Sequence, residues 1–564
     1  MEKPWLRHYE AHVPQTIGIP NLTIGEIFAQ AVREFGDSTA MIYFGRRVSY
    51  RRLGEGVARF AAVLAHLGVK KGDRVALLLP NIPQYPIAHY AVMQLGAIAV
   101  PTNPLYVERE LEYQLRDSGA EVAVALDLLF PRLEAVRAKT ALREVIYTGI
   151  GEYLPASKRL LYPLKAKRAG RWIKVPKQAH THAFSDLIKR KFNPPPRRAI
   201  AAEDVAIFLY TGGTTGISKG AILTHRNLVA NLVQVRSWFP GIRAGKEVTL
   251  AALPFFHSYG LTSCLHMSVY IGGANVLIPR FEVETVLQAL AKYQVTLFPG
   301  VPTMYVAVNN HPRTPHYDLK NVRACMSGGA ALPLQVARKF EQITQGARLV
   351  EGYGLSETAP VTHCNPITGQ RREGSIGLPL PETEAMIVDL ETHEPLPPNE
   401  VGELAVAGPQ VMQGYWNMEE ETQQTLRDGW FFTGDMAKMD EDGYFYIVDR
   451  KKDMIIAGGF NIYPREIEEV LYNNPKVKEA AVIGAQDSYR GETVKAFIVL
   501  QDGQHATEEE IIAYCQQDLA KFKAPKLVEF RKELPKSMIG KVLRRVLVEE
   551  ERTRQRQSKT GAAT

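Results

Sequence analysis

From Leu22 to about residue 150 the chain alternates two patterns. Stretches with apolar residues at helical spacing are separated by short apolar runs such as RVALLLP (74–80) and EVAVAL (121–126). Such alternation predicts an α/β fold with doubly wound sheets. It resumes from Asp204 to about residue 345, and β segments punctuated by Gly and Pro fill roughly 373–448. After the charged DRKKD (449–453) a compact unit begins with its own pattern. A helix is expected after Pro464, with Glu466, Glu468 and Glu469 near its positive N-terminus. Two apolar strands follow, VKEAAVIGA (477–485) and TVKAFIVL (493–500), and Thr507 with Glu510 predicts a capping box on a second helix. This reads as a small α+β domain, and the last residues (RTRQRQSKTGAAT) as a disordered tail.

With 564 residues the chain is too long for one hydrophobic core. Four cysteines far apart (Cys264, Cys325, Cys364, Cys515) offer neither a disulfide framework nor metal spacing, which fits a reducing cytoplasm. The apolar stretch at 91–100 ends at Pro101, short of the ~20 residues that span a bilayer. The net charge of +8 favours anionic partners without choosing among them. Between Glu152 and Glu203 there are thirteen Lys or Arg and one acid, Asp186, marking an inserted basic surface segment at about 152–200.

The most specific chemistry lies in IFLYTGGTTGISKGAILTH (207–225). Glycines 212, 213, 216 and 220 are interleaved with Thr211, Thr214, Thr215, Ser218 and Lys219. Glycines bring backbone N–H groups close to an anion, hydroxyls donate to phosphate oxygens and the lysine adds charge. An ordinary P-loop needs Gly-Lys-Ser/Thr, whereas Lys219 sits between Ser218 and Gly220. A helix capped by Thr224 follows, with Leu228, Leu232, Val235 and Phe239 on one face.

This loop resembles the signature of the adenylate-forming superfamily of acyl-CoA synthetases, firefly luciferase and peptide-synthetase adenylation domains. Six further blocks stand in that superfamily's order: PFFHSYG (254–260), SGGAALP (327–333), EGYGLSET (351–358), GWFFTGD (429–435), DRKKDMIIAGGFNIYPREIEE (449–469) and LPKSMIGKVLRR (534–545). Their wording, with FPGVPTMY (298–305) and GSIGLPLP (374–381), is most similar to bacterial long-chain fatty acyl-CoA ligases. Two departures, Ser218 for the usual proline and Ser537 for the usual threonine, remove no charge.

The resemblance implies that a fatty acid attacks the α-phosphate of ATP, giving acyl-AMP and pyrophosphate, and that the thiol of coenzyme A then displaces AMP. It implies two doubly wound sheets and a β-barrel-like part over residues 1–449, a hinge at 450–452 and a mobile domain over 453–552, before a disordered tail at 553–564. By the same resemblance Lys541 supplies positive charge in the first step, and Thr358 and Glu357 meet phosphate and Mg2+, with Thr214 sharing the metal. Tyr353 packs on adenine, and Glu351, Gly352 and Gly354 complete the nucleotide block with Thr211, Gly212, Gly213, Thr215, Gly216, Ser218 and Lys219. Gly328, Gly329 and Ala330 offer backbone around adenine and the acyl head, and His257 forms a wall near the carboxylate. Asp435 accepts from the ribose hydroxyls with Arg450 beside it, Lys452 is the hinge, and Gly458 and Gly459 approach the pantetheine arm.

Rival functions are an aryl or short/medium-chain acyl-CoA ligase, an acyl-AMP ligase with another acceptor, and a non-catalytic binder; the last sits badly with an intact Lys541, Glu357 and Asp435. No nucleic-acid motif accompanies the charge. Oligomeric state is left open. The segment 158–198 interleaves Lys158, Arg159, Lys165, Lys167, Arg168, Arg171, Lys174 and Lys177 with Leu160, Leu161, Tyr162, Leu164, Trp172 and Ile173. That composition suits an anionic membrane surface, with Trp172 and Tyr162 at the interface, or else a solvated basic loop.

Overall fold

The computed structural model describes residues 2–170, 172–196, 198–211, 218–457, 460–487, 491–536 and 542–561. The chain divides into two compact units, Met1–Glu384 with Ala407–Phe431, and Ala385–Val406 with Phe432–Thr564. The hinge expected at 450–452 therefore falls inside the second unit.

The first unit holds the two large sheets expected from the alternating pattern. One has eight strands, in the order Gly414–Tyr415, Lys219–Thr224, Val205–Thr211, Ile98–Pro101, Arg74–Leu78, Val122–Leu126, Glu144–Thr148 and Thr181–Ala183. Its central strands Ile98–Pro101, Arg74–Leu78 and Val122–Leu126 are parallel and buried apart from Arg74, which is why they read as unbroken apolar runs. The helix Gln84–Leu95 is buried on every side apart from Gln94, as a helix wedged between layers must be. The second sheet runs through Arg46–Ser49, Thr39–Tyr43, Ala274–Leu277 and Val248–Ala251. Single bridges at Leu297 carry it on to Ala324–Ser327 and Arg348–Gly354.

The basic segment is more ordered than an insertion. It contributes a helix, Ala156–Arg168, and the edge strand Thr181–Ala183 of the eight-stranded sheet. Tyr162 does not face outward as expected: its ring packs so closely on Gly151 that a Cβ there would lie 2.6 Å away.

In the second unit, Gly491–Leu500 pairs antiparallel with Val477–Asp487 and parallel with Leu527–Phe530. Ile467, Leu471, Val482, Ala496, Ile498 and Ile511 fill one face of this sheet; Leu547 of the last helix, Arg544–Gly561, covers Ala481 and Phe497 on the other. Two local expectations are corrected here. Thr507 accepts from the Glu510 N–H at 3.2 Å, but the Glu510 carboxylate pairs with Lys476 at 3.0 Å instead of closing a capping box. The tail expected to be disordered from 553 continues as helix to Gly561, and near its start Arg554 pairs with Glu529 at 2.6 Å. Among the described residues no helix is long and apolar enough to cross a membrane.

Candidate functional site

The phosphate loop joins two antiparallel strands whose register places Thr211 opposite Lys219 and Tyr210 opposite Gly220. Gly212, Gly213, Thr214, Thr215 and Gly216 lie outside the described residues; both ends of the loop are described. Ser218 Oγ donates to the Thr211 carbonyl at 2.7 Å and closes the neck. Tyr210 donates to Asp117 at 2.5 Å. Lys219 is buried, 6% exposed, and its ammonium pairs with Glu421 of the short helix Glu419–Thr425. The ring of Tyr415 lies 5.3 Å from the same ammonium. The strand after the loop ends at Thr224, which caps His225–Trp238 through a box with Asn227, as the cap expectation requires.

EGYGLSET leaves the strand Arg348–Gly354 and makes one tight turn at Ser356–Thr358. Gly354 is obligatory, since a Cβ there would lie 1.9 Å from the Pro360 carbonyl. Glu357 is buried and its Oε1 accepts from the Tyr415 hydroxyl at 2.9 Å. Burial, then the Glu357 carboxylate, pushes the Tyr415 phenol well up, so it stays a donor. Thr358 departs from its expected role. It is fully buried and donates its hydroxyl proton to the Pro360 carbonyl at 2.5 Å, while its oxygen accepts from the Leu355 N–H at 3.1 Å. In this structure it shapes the turn. Tyr353 is half-buried, its ring centroid 6.0 Å from that of His363 in an edge-on arrangement. His363 is neutral, burial holding it down to about 3.

The remaining first-unit motifs meet this one. Glu351 sits opposite Ser327 in parallel register, and its Oε2 accepts from the Leu332 N–H at 2.9 Å, so it anchors the SGGAALP turn. Within that turn Gly328 is buried, Gly329 takes a left-handed φ of 79°, and Ala330 is exposed. Gly352 is buried in the strand behind it. His257 is half-buried and its Nδ1 accepts from the Tyr259 N–H at 3.2 Å, which makes it the cap of the turn that follows. Ser258 and Ser356 hydroxyls are 3.2 Å apart, and Tyr259 donates to the Met326 carbonyl at 2.5 Å. Four motifs scattered over 150 residues of sequence thus form one hydrogen-bonded surface. Tyr415 and Glu421 join them unannounced; only the aromatic GYW at 414–416 and the run of glutamates after it gave a signal.

In the second unit Asp435 and Arg450 are direct register partners on neighbouring strands, Arg450 Nε lying 3.0 Å from Asp435 Oδ1. Asp435 is 3% exposed, so the arginine holds a buried carboxylate in a fixed direction. Lys452 sits in the single turn Lys451–Asp453. On either side of it Asp449 and Asp453 bond Arg544 at 3.4 and 3.2 Å, and Arg544 also holds Glu468 at 2.5 Å. Glu468 is therefore an ion-pair partner rather than a helix-dipole residue. Gly458, Gly459 and Lys541 lie outside the described residues. All four cysteines are free and buried, and burial pushes the Cys264 thiol up to about 12 and Cys515 to about 11.

The chain is 47% identical to a long-chain-fatty-acid–CoA ligase of Bacillus subtilis, over 98% of each chain. Among solved structures, ATP-bound MatB from Rhodopseudomonas palustris aligns with a TM-score of 0.82 at 31% identity, over 94% of this chain and 99% of that one. The anthranilate CoA ligase AuaEII with anthranoyl-AMP aligns at 0.81 and 27% identity, over 95% and 98%. Residues 28–416 match the AMP-binding enzyme family and residues 466–541 its C-terminal domain. The chain belongs to the AMP-binding enzyme family.

Proposed function

We propose that this chain is an ATP-dependent, AMP-forming long-chain fatty acid–CoA ligase. The observation that carries the reading is the 47% identity to a relative of that name, spread over 98% of both chains. The site supports it chemically. A fatty carboxylate oxygen attacks the α-phosphate of ATP; the P–O bond to pyrophosphate breaks, leaving acyl-AMP. The CoA sulfur then attacks the acyl carbon, its proton is lost, and AMP departs. The first step brings anions together, so it needs cations in place beforehand. Lys219 at the loop and Lys541 are assigned that role. Asp435, aimed by Arg450, takes the ribose hydroxyls, and the half-buried face of Tyr353 takes adenine. Glu357 fits Mg2+, a hard cation held by one or two carboxylates plus substrate phosphates, and Tyr415 fixes the direction of its carboxylate; bound there with Thr214, the ion would offset phosphate charge.

Pyrophosphate release across straight-chain acids of increasing length, with and without CoA, tests the assignment. Each buried methylene adds ~0.8 kcal/mol until the acyl tunnel is full, so efficiency climbs from hexanoate toward palmitate. A flat or falling trend, with anthranilate or benzoate preferred, moves the chain to the aryl ligases that AuaEII represents.

We further infer a cytoplasmic enzyme that docks on anionic membrane through the helix Ala156–Arg168. Leu160, Leu161 and Leu164 are 80%, 53% and 62% exposed, and Trp172 is 46% exposed with Lys167 5.6 Å from its ring. Exposed leucines flanked by lysines fit a headgroup layer, each cation there contributing ~1 kcal/mol. Sedimentation with anionic vesicles should lose the protein when Lys165, Lys167 and Arg168 become Gln or when Leu160 and Leu164 become Ser. A wild type that stays in the supernatant refutes docking.

A further inference from the structure

The phosphate loop's lysine already has a carboxylate partner inside the first unit. Lys219 is 6% exposed, its ammonium is in contact with Glu421, and the Tyr415 ring covers another side at 5.3 Å. Glu421 is better placed to let go: its side chain is 31% exposed and it stands on a helix of seven residues. That helix is bound to the loop's own hairpin. Tyr415 pairs with Ala221, the Trp416 N–H donates to the Gly220 carbonyl at 2.8 Å, and the Tyr415 N–H donates to Thr422 at 2.9 Å. The helix that carries Glu421 is therefore fixed beside the loop's hairpin by these hydrogen bonds, which leave the Glu421 side chain able to turn.

A buried ammonium needs a counter-charge when no ligand is present. The same carboxylate works against binding of a polyanion at the loop, because it cancels the lysine's charge and adds one of the ligand's own sign. We propose that Glu421 is a resident counter-ion of the phosphate loop, exchanged for a nucleotide phosphate by Lys219, and that it sets how tightly ATP binds. Tyr415 is the pivot of the exchange. Its ring faces the ammonium and its hydroxyl donates to Glu357 at 2.9 Å, so one side chain braces the loop lysine and the carboxylate of EGYGLSET together. Glu421 acts through Lys219 and is a positioning residue. The inference rests on the reading of 211–220 as a phosphate loop.

The test measures the Kd of a non-hydrolysable ATP analogue by titration calorimetry, beside KM for ATP and kcat for pyrophosphate release. Glu421→Gln should tighten analogue binding about three- to tenfold, an effect that shrinks in high salt, and should act on KM for ATP rather than on kcat. Glu421→Asp, which keeps the charge, should retain the wild-type Kd. Unchanged or weaker binding by Glu421→Gln overturns the counter-ion role, since a purely structural contact would give that result. Lys219→Ala separates the two claims. If it leaves the Kd untouched, the phosphate-loop reading fails; if it weakens binding while Glu421→Gln does not tighten it, only the counter-ion fails.

Discussion

Glu529 offers a quantitative check on how the second unit holds its last helix. Its carboxylate meets Arg554 at 2.6 Å, Lys495 at 3.0 Å and Arg531 at 2.8 Å. Burial alone would raise its pKa; the hydrogen bonds from Arg554, Lys495 and Arg531 outweigh it and bring an ordinary 4.5 down to about 2. A carboxyl lowered that far contributes about 3 kcal/mol at neutral pH, reduced to about 2 kcal/mol because the side chain is 20% exposed. The sign follows from the lowered folded value: the contribution is full above 4.5, declines as the pH falls toward 2, and is gone below. Glu529→Gln should remove it, while Lys495 keeps Glu551 at 2.6 Å and Arg531 keeps Glu550 at 2.6 Å. Since the two units need not unfold together, the readout should be local: pulsed hydrogen exchange on Gly491–Leu500 and Leu527–Phe530 across a urea series. At neutral pH the variant should lose protection by about 2 kcal/mol relative to wild type, and the two should converge as the pH is lowered below 4.5. A gap that stays constant with pH would refute the ion-pair account and assign the loss to packing.

Further outcomes follow from the proposed division of labour. Lys541→Ala should abolish acyl-AMP formation, by ~3–4 kcal/mol in that step, while sparing thioester formation from pre-made acyl-AMP; equal loss of both half-reactions contradicts it. Gly459→Leu should do the reverse, blocking pantetheine so that pyrophosphate is released without acyl-CoA, and intact CoA turnover would end that reading. Asp435→Asn should raise KM for ATP, with a cost of ~1.5–3 kcal/mol for a lost charge-assisted bond, and should leave the Kd for pyrophosphate alone unchanged. Buried His225, His266 and His363, held down by burial to about 4, 3 and 3, stay neutral when folded; they favour the native first unit above pH 6.5 and cost stability progressively as the pH falls below it, as thermal melts of that unit would show.

Local chemistry was the most legible part of the chain. The cap at Thr224 needed only an oxygen before a helical period, and it forms as expected. The parallel strands showed as unbroken apolar runs because both their faces are covered. What escaped were contacts between distant segments. Glu421 lies 202 residues from Lys219, and nothing in a run of glutamates says which one turns inward. Thr358 had the right residue type for a phosphate ligand, but the turn it closes takes its proton first. Glu468 looked like a helix-terminus acid until Arg544, 76 residues on, claimed it. Tyr162 matched an interfacial aromatic by composition, whereas the small face of Gly151 drew the ring inward.

The burial of all four thiols bears on a hazard peculiar to this chemistry. Acyl-AMP is a mixed anhydride that any thiolate within reach would attack, forming a dead-end thioester on the protein. With Cys264 and Cys515 pushed up to about 12 and 11, and Cys325 and Cys364 higher still, the chain carries almost no thiolate at neutral pH. A ligase built this way spares itself from self-acylation, and CoA meets the intermediate without a rival sulfur.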